Sequence, residues 1–329
     1  MRINGRIVWL DYAKAILIYL MVVCHCGTTE SVATIVYAFH MPAFFIVSGY
    51  LYRPHKWFSS LKSFLVPLAF YSVISFIIYA IPKLLRGQFD PSFLFERTIM
   101  PFVCIKIPYL PSNYEVISLF VGSWFIITLL CCRLLSGDIP IFNIVRKYSL
   151  WVITFFIIYL TLEQIVPINT SLVDSKFYRI IPSLPFFLIG GIIRNNLDIT
   201  KLKWPIVILM AVSFVFISIL QGRCDILYLK YGVCYPLFFF NAIIGTLVFF
   251  KVLSILPRNR HVEIVSSGTF LILGSHIFLR NWLGALFNRI NLVIPHSYYA
   301  LVIGLIIVAL CYYPIRYLLN RCPILLGKQ

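Results

Sequence analysis

Charge is scarce in this chain. Only 12% of its 329 residues are Asp, Glu, Lys or Arg, and acids are the rarest, 11 against 28 bases. No hydrophilic stretch is long enough for a soluble domain, and the sequence has no low-complexity tract and no repeat of fixed period. None of the nine cysteines falls in a C-x-x-C pair, so a cysteine-based metal module has no signature here; most read as small apolar packing residues. What fills the chain instead is apolar: 61% of residues are hydrophobic, in runs near the ~20 residues that cross a bilayer. The fold class that follows is all-α, a polytopic integral membrane protein, organised as a single membrane-embedded domain over residues 1–329.

Ten spans are expected, at about 7–26, 33–52, 61–81, 114–135, 148–166, 180–196, 203–221, 233–256, 265–285 and 298–320. The first is read as a retained helix and not a signal peptide, because it keeps Asp11 and Lys14 and lacks a small-residue cleavage site. With the N-terminus inside, both termini are cytoplasmic. Seventeen Lys and Arg then fall on the inner side and ten on the outer, with Lys14 between, as the positive-inside rule requires. The net charge of +17 is therefore topological, and nucleic acid is not an expected partner. Trp9, Trp151, Trp204 and Trp282 sit near span ends as an interfacial aromatic belt, and Trp57 falls in the first inner loop. The longest connection, about 82–113, is apolar and proline-containing; it is expected on the outer membrane surface or over an outward-facing cavity.

Ionisable groups within apolar spans are costly and mark function by default. Asp11, Lys14 and His25 lie in the first span at offsets of 3, 11 and 14 residues, which brings them within roughly 60° on one helix face. His25 stands roughly 16 Å beyond Lys14 along the axis. A stripe of this kind lines a route between the two membrane sides; alternatively, Asp11 and Lys14 form a structural ion pair and His25 caps the helix. In "FHMPAFFIVSGYLY", His40 is brought close to His25 by a short loop, Pro42 starts or kinks the helix, and Ser48-Gly49 permits close helix approach or a break. "VGSWFIITLL" places Trp124 inside the outer leaflet, and "SSGTFLILGSHIFLR" places Ser275 and His276 near mid-membrane with Arg280 one turn further out. Cys24 and Cys26 flank His25 but point to other helix faces, so no metal site is expected there. Glu115 reads as a solvated end residue.

"WLDYAKAILIYLMVVCH" followed by "FHMPAFFIVSGYL", a segment that includes Phe44, resembles the membrane acyltransferases of acyltransferase family 3. Their first span carries an Arg-or-Lys, ten residues, His signature, here Lys14 and His25. The "LDYAK" form is similar to the branch containing fucose and exopolysaccharide O-acetyltransferases, and weaker likeness continues through "SWFIITLL", "LPFFLIGGIIR" and "FLILGSHIF". Relatives often read Lys-Gly, Gly-His and Leu-Trp-Phe where this chain has Lys14-Ala15, Cys24-His25 and Ser123-Trp124-Phe125. The resemblance implies an acyl-CoA donor, usually acetyl-CoA, used as a substrate with no bound cofactor, and a glycan or lipid-linked sugar acceptor. It also implies the bacterial plasma membrane as location. His25 is then the general base, with Lys14 and its neighbour Asp11 on the donor side. His40, Phe44, Trp124, Ser275 and His276 are the substrate-binding candidates. A base is needed because a sugar hydroxyl must lose its proton as it attacks a thioester carbonyl, and histidine, with an ordinary pKa near 6.5, suits the task. Trp124 or His276 are candidates to stabilise the oxyanion, and a transient acyl-histidine is an alternative route. The competing reading is a transporter or flippase of lipid-linked sugars or small solutes, though the broken-helix motifs repeated in two halves that mark many transporters are not seen.

Overall fold

The computed structural model describes residues 2–3, 6–87, 122–166, 175–290 and 296–328. A two-residue antiparallel pairing of β1 (Arg2–Ile3) with β2 (Arg6–Ile7) precedes α1 (Val8–His25) in an otherwise all-α chain, as expected. The second span is made of α2 (Glu30–Tyr37) and α3 (His40–Leu51), and Pro42 lies in the first turn of α3, where a missing N–H leaves no bond unmade. α4 (Trp57–Leu85) follows, so Trp57 opens a helix where a loop was expected. Then come α5 (Ser123–Arg133), α6 (Asn143–Lys147), α7 (Ser149–Ile165) and α8 (Ile180–Asn196). The C-terminal part comprises α9 (Trp204–Gln221), α10 (Tyr235–Leu253), α11 (Arg260–Ser267), α12 (Thr269–Arg289) and α13 (His296–Arg321).

Among the described residues, eight helices or helix pairs are long and apolar enough to cross a membrane. A ninth arises if Ser123–Asp138 and Pro140–Lys147, bent by 81°, count as one span, and Ser149–Ile165, at 17 residues, coincides with the expected span at 148–166. The protein is thus a polytopic helical membrane protein, and the expected spans match helices within a few residues. The first part of the expected fourth span, Glu115, and residues 88–113 of the long connection lie outside the described residues. The bend has a local cause: Gly137 adopts φ 128°, a conformation that disfavours any side chain, and Pro140 starts a new turn.

The first helix is the hub. α1 packs against α3, α10, α11, α12 and α13, which leaves Leu17, Val22 and Val23 fully buried. The closest helix pair is α3 with α8, and glycine makes it possible. A Cβ on Gly190 would lie 2.1 Å from the Ile46 carbonyl oxygen, and one on Gly49 only 1.8 Å from that of Phe187. Small residues let backbones approach without lipid between them, so van der Waals contact replaces the missing hydrophobic drive. The sequence-level expectation for Ser48-Gly49 is realised as close approach. A consequence is that the ends of these helices stay together, which sets Arg53 beside Arg194.

Substituting Gly190→Val therefore forces backbone displacement and is expected to destabilise the protein by about 3 kcal/mol or more. Gly191→Ala, whose Cβ meets nothing within 4 Å, is expected to be neutral or slightly stabilising, since alanine is the better helix former. Thermal denaturation of the two variants in one detergent checks both.

Candidate functional site

Three of the expected site residues converge at the C-terminal end of α1. His25 is its last residue and is half-buried; its ring lies 5.1 Å, centroid to centroid, from that of His276 on α12. His276 is almost fully enclosed. Its Nδ1 lies 2.9 Å from the Leu273 carbonyl and 3.2 Å from that of Ile272. Carbonyls only accept, so Nδ1 carries the proton and Nε2 presents a lone pair. That Nε2 is buried with no hydrogen-bond partner among the described residues. His40, at the first position of α3, is likewise enclosed; its Nδ1–H donates to the Val36 carbonyl at 2.8 Å, which again leaves Nε2 as the acceptor. Of the three imidazoles, His25 alone is partly exposed.

A cation holds this end in place. Arg280, one turn beyond His276, donates from Nη1 to the His25 carbonyl at 2.7 Å. The last carbonyls of a helix lack intrahelical partners and carry partial negative charge, so a guanidinium there satisfies both needs. Sequence reasoning placed Arg280 nearby without assigning it this contact.

Aromatic packing extends from α2 toward the same end. Tyr37 meets His40 edge-on at 5.0 Å, and Arg223 lies over the Tyr37 ring at 4.8 Å while pairing with Glu30 at 3.3 Å. Asp225, in the same connection as Arg223, accepts a hydrogen bond from the Leu227 N–H at 2.8 Å; burial pushes its carboxyl up to about 6. A carboxyl with a raised folded pKa holds its proton longer in the folded state than in the unfolded one. Its contribution is thus fully present below the unfolded value near 4 and is lost as pH rises through about 6. Asp225→Asn keeps the acceptor oxygen and removes the charge, so it is expected to stabilise the protein by up to about 3 kcal/mol above pH 7. The gain should vanish near pH 4. Thermal midpoints of wild type and variant at the two pH values check this.

The remaining candidates are distributed differently. Phe44 packs on Phe125 at 5.5 Å, and Trp124 meets the same ring edge-on at 6.1 Å, so both belong to an aromatic cluster between α3 and α5. This cluster borders the histidines through Gly122, whose Cβ would overlap Leu273, the residue that accepts from His276. Ser275 is not brought to the histidines. Its hydroxyl donates to the Leu271 carbonyl at 2.8 Å and lies 3.5 Å from Cys311 on α13, because neighbours on a helix point 100° apart. The Ser275 hydroxyl is thus engaged in helix contacts.

Asp11 and Lys14 stand at the opposite end of α1, so they do not form a catalytic group with His25. Asp11 is buried and accepts from Arg6 at 3.1 Å and from Ser266 at 2.5 Å, with Lys14 at 3.8 Å. It thus pairs with two cations. Both residues line a cavity of about 220 Å³ together with Arg6, Tyr50, Arg53 and Arg194. The C-terminal segment folds back here: Lys328 lies close to Lys14 and Arg6, and burial together with those like charges pushes its ammonium down to about 8. Among the described residues no three His, Cys, Asp or Glu side chains converge for a metal ion.

Residues 7–316 match the profile of a family described as an acyltransferase domain, nearly the whole chain. No curated protein and no solved structure gave a match.

Proposed function

Since the chain belongs to acyltransferase family 3, we propose that it moves an acetyl group from acetyl-CoA to a hydroxyl of a cell-surface or exopolysaccharide sugar. It works in the bacterial plasma membrane with both termini cytoplasmic. The observation that carries this reading is the division of labour along α1: an accessible histidine seated on a buried one at one end, and a cation-lined cavity at the other.

At the outer end His25 takes the proton of the acceptor hydroxyl as its oxygen attacks the thioester carbonyl. The carbonyl oxygen becomes an oxyanion, then the C–S bond breaks, and the thiolate leaves with the proton that His25 had taken. The products are a sugar ester and free CoA thiol. His276 acts through His25. Its buried Nε2 lone pair is an acceptor for a ring N–H of His25, which leaves the other nitrogen of His25 as the base. This is the orienting role that a third group plays in catalytic triads. Phe44 and Trp124 form the apolar wall between α3 and α5 that shields the reacting end from lipid and water. Lys14 stands too far from His25 to stabilise the same oxyanion, and instead attracts the anionic donor from the cytoplasmic side.

Expression in a bacterial host lacking the gene, with NMR of its surface glycans, tests the function. New O-acetyl ester signals are expected with the wild-type chain. Unchanged acetylation together with gain of lipid-linked sugar translocation overturns the acyltransferase reading in favour of a transporter.

A further inference from the structure

A sizeable cavity lies away from the histidines. It has a volume of about 920 Å³ and lies at the Lys14 end of the bundle, between the ends of α3 and α8 and the short helix α6. Four cations line it, Arg53, Arg146, Lys147 and Arg194, together with Asn143 and Asn195, and no acidic residue is among the lining. A carboxylate behind its wall is already committed. Asp138 is buried and accepts from the Tyr52 hydroxyl at 2.9 Å, from the His55 N–H at 3.0 Å and from Ser60, with Arg133 at 3.5 Å. Its negative charge is thus neutralised behind the wall and not offered to the cavity.

Four like charges around one space repel one another and gain nothing from folding, unless a polyanion enters. The volume is that of a small-molecule or cofactor site. Arg53 and Arg194 also line the smaller cavity that contains Lys14, so the two spaces adjoin. A ligand lying across both places its anionic part among the four cations and directs the rest toward α1.

Resting on the acetyl-CoA reading above, we infer that this cavity binds the nucleotide end of the donor, with Arg146, Lys147, Arg53 and Arg194 taking its diphosphate and ribose phosphate. Guanidinium groups pair with phosphate oxygens through two parallel N–H bonds, which fixes orientation as well as charge. Arg194 is itself held by donating to the Tyr52 carbonyl at 3.0 Å, and Tyr52 by Asp138, so the network around Asp138 positions the cations. An anionic lipid headgroup has similar phosphate chemistry and is the competing occupant.

The test uses the full chain in nanodiscs of phosphatidylcholine, with titration of CoA and of pantetheine, which lacks the nucleotide. Arg146 and Lys147 lie on the exposed helix α6, where substitution spares the fold; an unchanged thermal midpoint confirms it. Arg146→Ala with Lys147→Ala should weaken CoA binding about 30-fold or more, by the loss of two charge-assisted contacts. Pantetheine binding should stay as in wild type. CoA affinity equal to wild type in the double variant overturns the assignment of this cavity while leaving the donor reading intact. So does loss of co-purifying phosphatidylglycerol without loss of CoA affinity. Failure of the wild-type protein to bind CoA at all overturns the donor reading and this inference with it.

Discussion

His25→Ala is expected to abolish acyl transfer, with a loss of about 10³-fold or more and no loss of fold. The size follows from chemistry: a positioned general base supplies about 10² to 10⁴ in rate, and no other imidazole in the cluster can replace it. His40 and His276 are enclosed, and each has its Nδ1–H committed to helix carbonyls. The fold survives because His25 is half-buried at a helix end, and the contact that anchors this end runs from Arg280 to the His25 backbone carbonyl, which alanine retains. Steady-state transfer beside a thermal melt separates the two effects. A residual rate above one-tenth of wild type would place the base elsewhere. His276→Ala should lie between, because removing an orienting partner leaves the base present but free to turn.

Asp138→Ala is expected to cost about 3–5 kcal/mol of stability, the largest structural effect of any single change considered. The carboxylate is fully enclosed, with 0% of its side chain exposed, and stands between Arg133 on one side and Tyr52, His55 and Ser60 on the other. Its removal strands the part-buried Arg133 guanidinium, the Ser60 hydroxyl and the His55 backbone N–H without this acceptor, and breaking a largely buried ion pair from one side carries that penalty. The Tyr52 phenol, whose pKa is held above its ordinary value by burial and then by Asp138, loses its shorter hydrogen bond and keeps only the Arg133 carbonyl at 3.3 Å. Asp138→Asn keeps an acceptor for two of these donors and should lose less. Chemical or thermal unfolding in detergent gives both values, and a loss under 1 kcal/mol for the alanine variant would show the network to be incidental.

Much of this architecture was legible because the bilayer imposes it. Span lengths follow from the thickness of the hydrocarbon, and the charges that break apolar runs stand out against their neighbours. Thus Lys14, His25 and His276 stand out as anomalies, but the meeting of the His25 and His276 rings across 251 positions of chain is not foreseen, since the sequence sets His276 nearer mid-membrane. Ser275 was less legible in its direction. It was grouped with its neighbour His276, but adjacent residues diverge by 100° on a helix, and its hydroxyl found a backbone carbonyl.

The cation-lined cavity was hidden by a correct explanation. Arg53, Arg146, Lys147 and Arg194 were counted as topological charge, and membrane orientation does account for positive loops. It does not account for their meeting around one space. That depends on the close glycine-mediated contact of α3 with α8 and on the 81° bend after α5, neither of which has a periodic signature. Asp138 was missed for the same reason, since a single acid after a glycine reads as an ordinary turn residue.

The central claim is that His25 activates an acceptor hydroxyl against a thioester delivered from the Lys14 side. Purified protein in vesicles, given acetyl-CoA labelled in the acetyl group together with a bacterial glycan acceptor, tests it most directly. The account predicts alkali-labile label on the glycan with wild type, none above background with His25→Ala, and a raised KM for acetyl-CoA with Lys14→Ala. Equal transfer by wild type and His25→Ala would contradict it.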